Sequence, residues 1–183
     1  MRTWFILLCG ALSSCAIEKP AYESVKKDGS FEIRKYESIR VVSAPMDDMD
    51  ERNQSFRKLF KYISGENADK KKIAMTSPVF MDEDTTPKGQ MSFMIPSEIA
   101  KEGAPSPDAE EVTLDEIKSG TFAVFTFKGW NKPESREKAS GQLDTLLKEH
   151  RLRPIGKKFF AFYDPPWTPE MFRQNEVWQR IKP

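Results

Sequence analysis

Tyr62-Ile63-Ser64-Gly65-Glu66-Asn67-Ala68-Asp69-Lys70-Lys71-Lys72-Ile73-Ala74-Met75-Thr76-Ser77-Pro78-Val79-Phe80 is where the chain passes from helix to strand. Upstream, Met49, Phe56, Leu59, Phe60 and Ile63 recur at helical spacing, so one face of an amphipathic helix is expected there, stopped by Gly65 in a left-handed turn. From Gly65 to Lys72 no apolar side chain is larger than that of Ala68, and this segment reads as a solvated connection. Ile73, Met75 and Val79 then read as a strand. Pro78 removes a ladder donor, which places it at an edge, a bulge or the strand's end.

A second distinctive block lies near the C-terminus: Tyr163-Asp164-Pro165-Pro166-Trp167-Thr168-Pro169, followed by Arg173-Gln174-Asn175-Glu176-Val177. Together with Tyr-Ile-Ser-Gly-Glu-Asn and Lys-Ile-Ala-Met-Thr-Ser-Pro-Val it resembles the signature of the SOUL haem-binding family, from about Tyr22 to Ile181. The resemblance implies an α+β fold, a twisted antiparallel β-barrel with two helices packed outside it. It implies a haem or tetrapyrrole ligand between the first helix and the C-terminal loop, which selects Asn53, Phe56, Phe60, Tyr163 and Trp167 as ligand-binding residues. Some members of that family ligate haem through a histidine early in the chain. This sequence has none there, so it resembles the members that hold the ring by apolar contact.

Outward from the central stretch the strand patterns fall into two sets. Phe31–Tyr36 and Ile39–Ser43 precede the first helix, which Asp47, Asp48 and Asp50 open with charges suited to its free amides; Met91–Pro96 follows. A linker rich in proline and small residues spans Ser97 to Glu111. Val112–Ile117 and Thr121–Phe127 come next, the latter apolar on both faces and therefore covered on both. Pro133 opens a second helix whose buried face is Ala139, Leu143, Leu146 and Leu147, and the strands Lys158–Tyr163 and Glu176–Ile181 complete the chain. The order strand-strand-helix-strand-strand thus occurs twice, an internal duplication of architecture without obvious sequence identity.

The first fourteen residues differ in kind, with Arg2, an apolar run from Trp4 to Leu8 and small Ser13-Ser14 before Cys15. They read as a signal peptide, too short to span a bilayer, which takes ~20 apolar residues. Leu12-Ser13-Ser14-Cys15 resembles the bacterial lipobox, so Cys15 is the expected site of lipidation, residues 15–22 a lipidated tether and residues 23–183 the domain. An ordinary signal peptide cut nearby is the alternative. Removing 14 of 183 residues leaves 169; losing Arg2 from 29 basic residues leaves 28 against 28 acidic. A neutral mature chain lacks the positive field that phosphate backbones attract, so nucleic acid is not an expected partner. Two partners are expected, a small apolar ligand and, through the N-terminal lipid, a membrane. The corresponding location is the bacterial cell envelope, on the periplasmic side of the outer membrane, since Asp does not follow Cys15.

Chemistry-bearing groups are sparse. His150 is the single histidine and Cys15 is consumed by lipid, which leaves no Ser-His-Asp or Cys-His set and no zinc ligand set. No glycine-rich phosphate loop marks a nucleotide site. Glu110-Glu111 and Asp47-Asp48 fall in a linker and a helix start, where solvation and capping account for them. His150 follows Leu146 and Leu147 at the end of the second helix, a structural position rather than an axial one, and Met75 reads as core filler. Asn53 interrupts the first helix's apolar stripe and either bridges to a neighbouring strand or hydrogen-bonds a ligand. Trp167, held among three prolines, either offers a flat apolar surface or plugs the barrel end. The leading expectation is a non-catalytic binder of a planar apolar molecule. The alternatives are an envelope scaffold without a ligand and a hydrolase of the wider gyrase-inhibitor-like superfamily.

Overall fold

The computed structural model of the chain describes residues 17–46, 52–82 and 89–182. Cys15, the signal-like residues before it, Asp47, Asp48, Met49 and Asp50 lie outside the described residues. Nine strands, β1 (Tyr22–Asp28), β2 (Phe31–Tyr36), β3 (Ile39–Met46), β4 (Val79–Asp82), β5 (Gly89–Met94), β6 (Thr113–Ile117), β7 (Gly120–Phe127), β8 (Pro154–Phe162) and β9 (Asn175–Ile181), form one antiparallel sheet. Their order is β1-β2-β7-β9-β8-β4-β5-β3-β6. The α+β class and the helix-decorated antiparallel sheet match expectation; barrel closure does not. The sheet is open because its outer strands, β1 and β6, are not paired with each other, and each edge carries charged side chains, Lys26, Lys27 and Asp28 on β1, Asp115 and Glu116 on β6, of the kind that guard exposed edges.

Strand order explains how two similar halves make one sheet. Each half contributes a three-strand unit, β3-β5-β4 and β7-β9-β8, and the units meet along β4 and β8. The first strand of each half crosses over: β2 pairs with β7, and β6 pairs with β3. Exchanging the halves reverses the eight-strand order β2 to β6 onto itself, so the duplication is a pseudo-twofold about the β4–β8 seam. Ile39–Met46 and Gly120–Phe127 are both eight residues long, and aligning them sets Val41 against Phe122 and Ser43 against Val124. The ladders extend this correspondence to Asp115 with Arg34, Ser92 with Trp178 and Phe80 with Phe159. β1 stands outside the duplication; all seven of its residues are exposed, which hides it from a reading based on alternation.

Helices cover one face only. α1, described as Arg52–Ile63, packs on β3 and β5; α3 (Pro133–Glu149) packs on β7, β8 and β9. Ala139, Leu143 and Leu147 of α3 are buried as their spacing requires, with Leu146 half-buried. α1 is turned roughly 65° from the expected stripe, taking about 100° per residue. Ser55, Leu59, Tyr62 and Ile63 face the sheet, while Phe56 and Phe60 do not. Hydrogen bonds from Ser55 Oγ to the Pro45 carbonyl (2.6 Å) and from Tyr62 Oη to the Pro105 carbonyl (2.9 Å) hold this setting. The helix ends as expected at Gly65 (φ 113°), with Gly65 N donating to Tyr62 O and Glu66 N to Lys61 O.

Two connections depart from expectation. The segment 65–72 is not wholly solvated. Asn67 is buried and fully used, its Nδ2 donating to Tyr62 O and Lys71 O and its Oδ1 accepting from Lys71 N. Residues 73–78 run extended rather than as a strand, and β4 begins only at Val79 after the cis Ser77–Pro78 bond. Thr76 Oγ1 there donates to Met94 O at 2.6 Å. The linker contains a short helix, α2 (Ser97–Glu102). Of the expected tether, Glu18 lies against the domain, its carbonyl accepting from Ser77 N and its carboxylate from Ser97 N, and Tyr22 already belongs to β1.

Candidate functional site

On the helix-bearing face, α1 packs mainly on β3 and β5 and α3 on β7, β8 and β9, with β4 between them. One side of α1 is tied to the linker by Lys58–Glu111 at 2.6 Å, and Phe56 and Phe60 lie on the opposite flank. Their rings lie 6.2 Å apart and 12° from parallel, with 39% and 51% of their surface exposed. Phe56 rests edge-on against Phe93 of β5, whose partner on β4 is Val79. Beside Val79, Met81 packs under α1 and accepts from Asn131 Nδ2 (3.6 Å), which belongs to the turn leading into α3. Asn131 Oδ1 is buried with no hydrogen-bond partner. The next residue back, Trp130, is covered by the Arg173 guanidinium at 3.9 Å, and Arg173 Nε also donates to Thr168 O, shaping the C-terminal loop. Trp167, Met171 and Phe172 on that loop are 82%, 73% and 66% exposed. Apolar side chains left in water, as on the α1 flank and on this loop, are the kind of surface that a flat apolar molecule covers.

The opposite, inner face of the sheet carries a polar network within an aromatic core. Arg34 on β2 donates through both terminal nitrogens to Glu176 on β9 (3.1 and 3.0 Å) and through Nε to Glu32 (2.8 Å). Glu176 also accepts from Tyr163 Oη (2.7 Å) and Trp178 Nε1 (2.8 Å). Burial works against the Arg34 charge, but Glu176 outweighs it and the guanidinium is held above its ordinary range. Burial likewise raises the phenols of Tyr36 and Tyr163, with Glu176 adding to the rise at Tyr163. Burial also acts on Glu32, yet Ser24 and Arg34 prevail and lower its pKa. This network is saturated internally and suits a structural ion cluster. Arg173 serves the loop, whereas Glu176, three residues on, serves Arg34.

The residues selected from the sequence therefore divide. Asn53, Phe56 and Phe60 share the exposed flank of α1. Tyr163 turns to the inner face, where its ring meets Lys19 Nζ at 5.2 Å, although Phe162 just before it packs on the helix-bearing side. Trp167 is on the surface, so it plugs nothing. No ring contact joins Phe56 or Phe60 to Tyr163 or Trp167 among the described residues. His150 caps the end of α3, stacked on Phe31 at 4.9 Å with Nδ1 3.3 Å from Lys26 Nζ. Sequence reading missed Glu32, Arg34 and Asn131. Glu32 and Arg34 alternate with apolar Phe31 and Ile33, a pattern that points them to solvent unless both faces are covered.

A match to the SOUL heme-binding protein family model runs over residues 17–180. The chain belongs to the SOUL haem-binding family. Human "Heme-binding protein 2" is 29% identical over 177 residues, covering 89% of this chain and 85% of that one. "Heme-binding protein 1" of Xenopus tropicalis is 28% identical over 165 residues, 84% and 85% of the two chains. Among solved structures, the EcmrR C-terminal domain superposes with a TM-score of 0.65 at 10% identity, covering 88% of this chain and 98% of its own. A protein described as a hydrolase from Listeria innocua gives 0.61 at 10% identity over 86% and 94%. These two likenesses establish a shared fold. The exposed, near-parallel Phe56 and Phe60 rings are apolar surface of the kind a haem ring contacts, and Arg57 stands exposed next to Phe56 in sequence.

Proposed function

We propose that this SOUL-family protein holds haem or another flat tetrapyrrole on the flank of α1, as a non-catalytic binding protein exported and anchored by a lipid on Cys15. The observation that carries the ligand reading is the exposed, near-parallel Phe56–Phe60 pair on the flank of α1, in a chain whose relatives are named for haem binding. Phe56 and Phe60 contribute apolar contact, Arg57 a charge for a propionate, and Asn131 Oδ1 an acceptor. A bound haem brings the chemistry of its iron; this chain's part is to hold the ring and exclude water from one of its faces.

The absence of catalysis is inferred from how the acid–base candidates are occupied. Glu32 and Glu176 are committed to Arg34, and His150 is committed to Phe31 and Lys26. For anchoring, the support is the Leu12-Ser13-Ser14-Cys15 motif after an apolar run, with the periplasmic face of the bacterial outer membrane as the proposed location. Haemin titration followed in the Soret band tests the ligand reading. Saturable binding that Phe56→Ala with Phe60→Ala weakens at least tenfold supports it, and equal behaviour of wild type and variant refutes it. Fractionation of Cys15→Ser tests the anchor: the variant should move from membranes to the soluble periplasm, and retention in membranes refutes lipidation.

A further inference from the structure

The pseudo-twofold relates a filled region of the inner face to an open one. In the second half, Trp178 fills the space above β7 and β9, its ring stacked on Tyr36 at 4.5 Å, with Val124 opposite on β7. The corresponding positions of the first half hold Ser92 and Ser43. Where an indole stands in one half, two small hydroxyls stand in the other, and a cavity of about 230 Å³ remains. Its walls are Val41, Phe80, Ile117 and Phe159, and Asp82, Asp115 and Glu116 stand around it.

Charge is exchanged along with volume. Arg34, with Glu32 two residues before it and Glu176 across the ladder, corresponds to Asp115, with Thr113 two residues before it and Gln90 across the ladder. The same pairs are bonded: Thr113 Oγ1 donates to Asp115 Oδ2 at 3.0 Å and Gln90 Nε2 to the same oxygen at 3.3 Å. The second half thus supplies its own cation and its own flat ring, whereas the first supplies carboxylates and an empty slot.

We propose that this slot is a second ligand site, on the face opposite α1, for a small flat aromatic amine. The ring takes, in the first half, the place that the Trp178 indole has in the second, against Phe80 and Phe159, and the ammonium lies against Asp82 and Asp115. The size suits one or two fused rings, being below the ~300 Å³ at which drug-sized pockets begin. Aromatic walls and a carboxylate rim both favour a cation. Lys157 is the cation acting on Asp82, so Asp115 and Glu116 leave the lining negative on balance. Burial holds the Asp82 carboxyl above the usual range, Lys157 pulling the other way and Asp115 adding to the rise, and an ammonium would relieve that cost. Ser43 and Ser92 are both buried and bonded to each other at 2.8 Å.

Calorimetric titration of the full chain with tryptamine, and with indole-3-propionate as the same ring bearing the opposite charge, tests the proposal. Tryptamine should bind at least tenfold more tightly than indole-3-propionate. Ser92→Trp, which recreates the second half's filling, should abolish tryptamine binding while the melting transition and haemin binding persist. Asp115→Asn, at an exposed strand, reports independently if Ser92→Trp fails to fold, and should weaken tryptamine about tenfold. Equal affinity for the two indoles, no tryptamine binding at millimolar concentration, or wild-type affinity in Asp115→Asn would overturn it.

Discussion

Replacing Arg34 by Met should be among the most damaging single changes in this chain, and the reason can be worked from the network. The Arg34 side chain is 7% exposed and that of Glu176 1%, so neither charge has water to fall back on. Met fills a similar volume but leaves Glu32 and Glu176 buried without their cation. Breaking a buried pair in this way costs about 3–5 kcal/mol. At roughly 2–4 °C per kcal/mol for a chain of this size, the melting temperature should fall by about 6–20 °C. Adding Glu176→Gln removes one stranded charge yet keeps a side-chain oxygen for Tyr163 Oη and Trp178 Nε1. The double variant should therefore be more stable than Arg34→Met alone, although Glu176→Gln by itself destabilises. Circular dichroism melts of all four proteins give the coupling directly. Additive losses would refute the view that Arg34 and Glu176 stabilise each other.

The buried phenols of Tyr36, Tyr62 and Tyr163 are all pushed up, that of Tyr62 to about 12, whereas in the unfolded chain they titrate near ~10. A raised folded value means their contribution is complete below the unfolded value near ~10 and is lost as pH rises from there toward the folded value, at about 1.4 kcal/mol per pH unit for each phenol kept neutral. In urea unfolding from pH 8 to 11.5, the cost of Tyr163→Phe should therefore shrink above pH ~10; a constant cost would contradict this. Leu59→Ala should cost about 2–5 kcal/mol by leaving a cavity under α1, while Phe60→Ala, half exposed, should cost about 0.5 kcal/mol or less in the same assay. His150→Ala should leave the spectrum of bound haemin unchanged, because the ring is stacked on Phe31 at the far end of α3; loss of the Soret shift would reassign it.

Much of this fold was legible in the sequence because it is built from strongly alternating strands and two capped helices. The duplication, α3 with Pro133 at its start, and the Gly65 stop are local signals, and local signals survive translation into structure. What failed was non-local. The rotation of α1 is set by Pro45 and Pro105 carbonyls, groups distant in sequence that draw Ser55 and Tyr62 inward and turn Phe56 and Phe60 out. β1 is an edge strand with no buried face, so it carries no periodicity to read. The open sheet depends on β1 and β6 staying unpaired with each other, a non-local fact that their charged residues, readable as ordinary surface, do not announce. The candidate site was half legible: periodicity found the two phenylalanines and the resemblance assigned them to a ligand, and the loop motif found Trp167 while missing that Tyr163 faces the other way.

The most direct test of the α1 flank as the ligand surface is a paramagnetic map. Amide signals of the labelled protein are recorded with haemin and with diamagnetic zinc protoporphyrin, and the difference in line width locates the iron. Broadening confined to residues 53–60 of α1, Val79–Met81 and the Trp130–Asn131 turn is the expected result. Broadening centred on Phe31 and His150, or spread evenly over the chain, would contradict it.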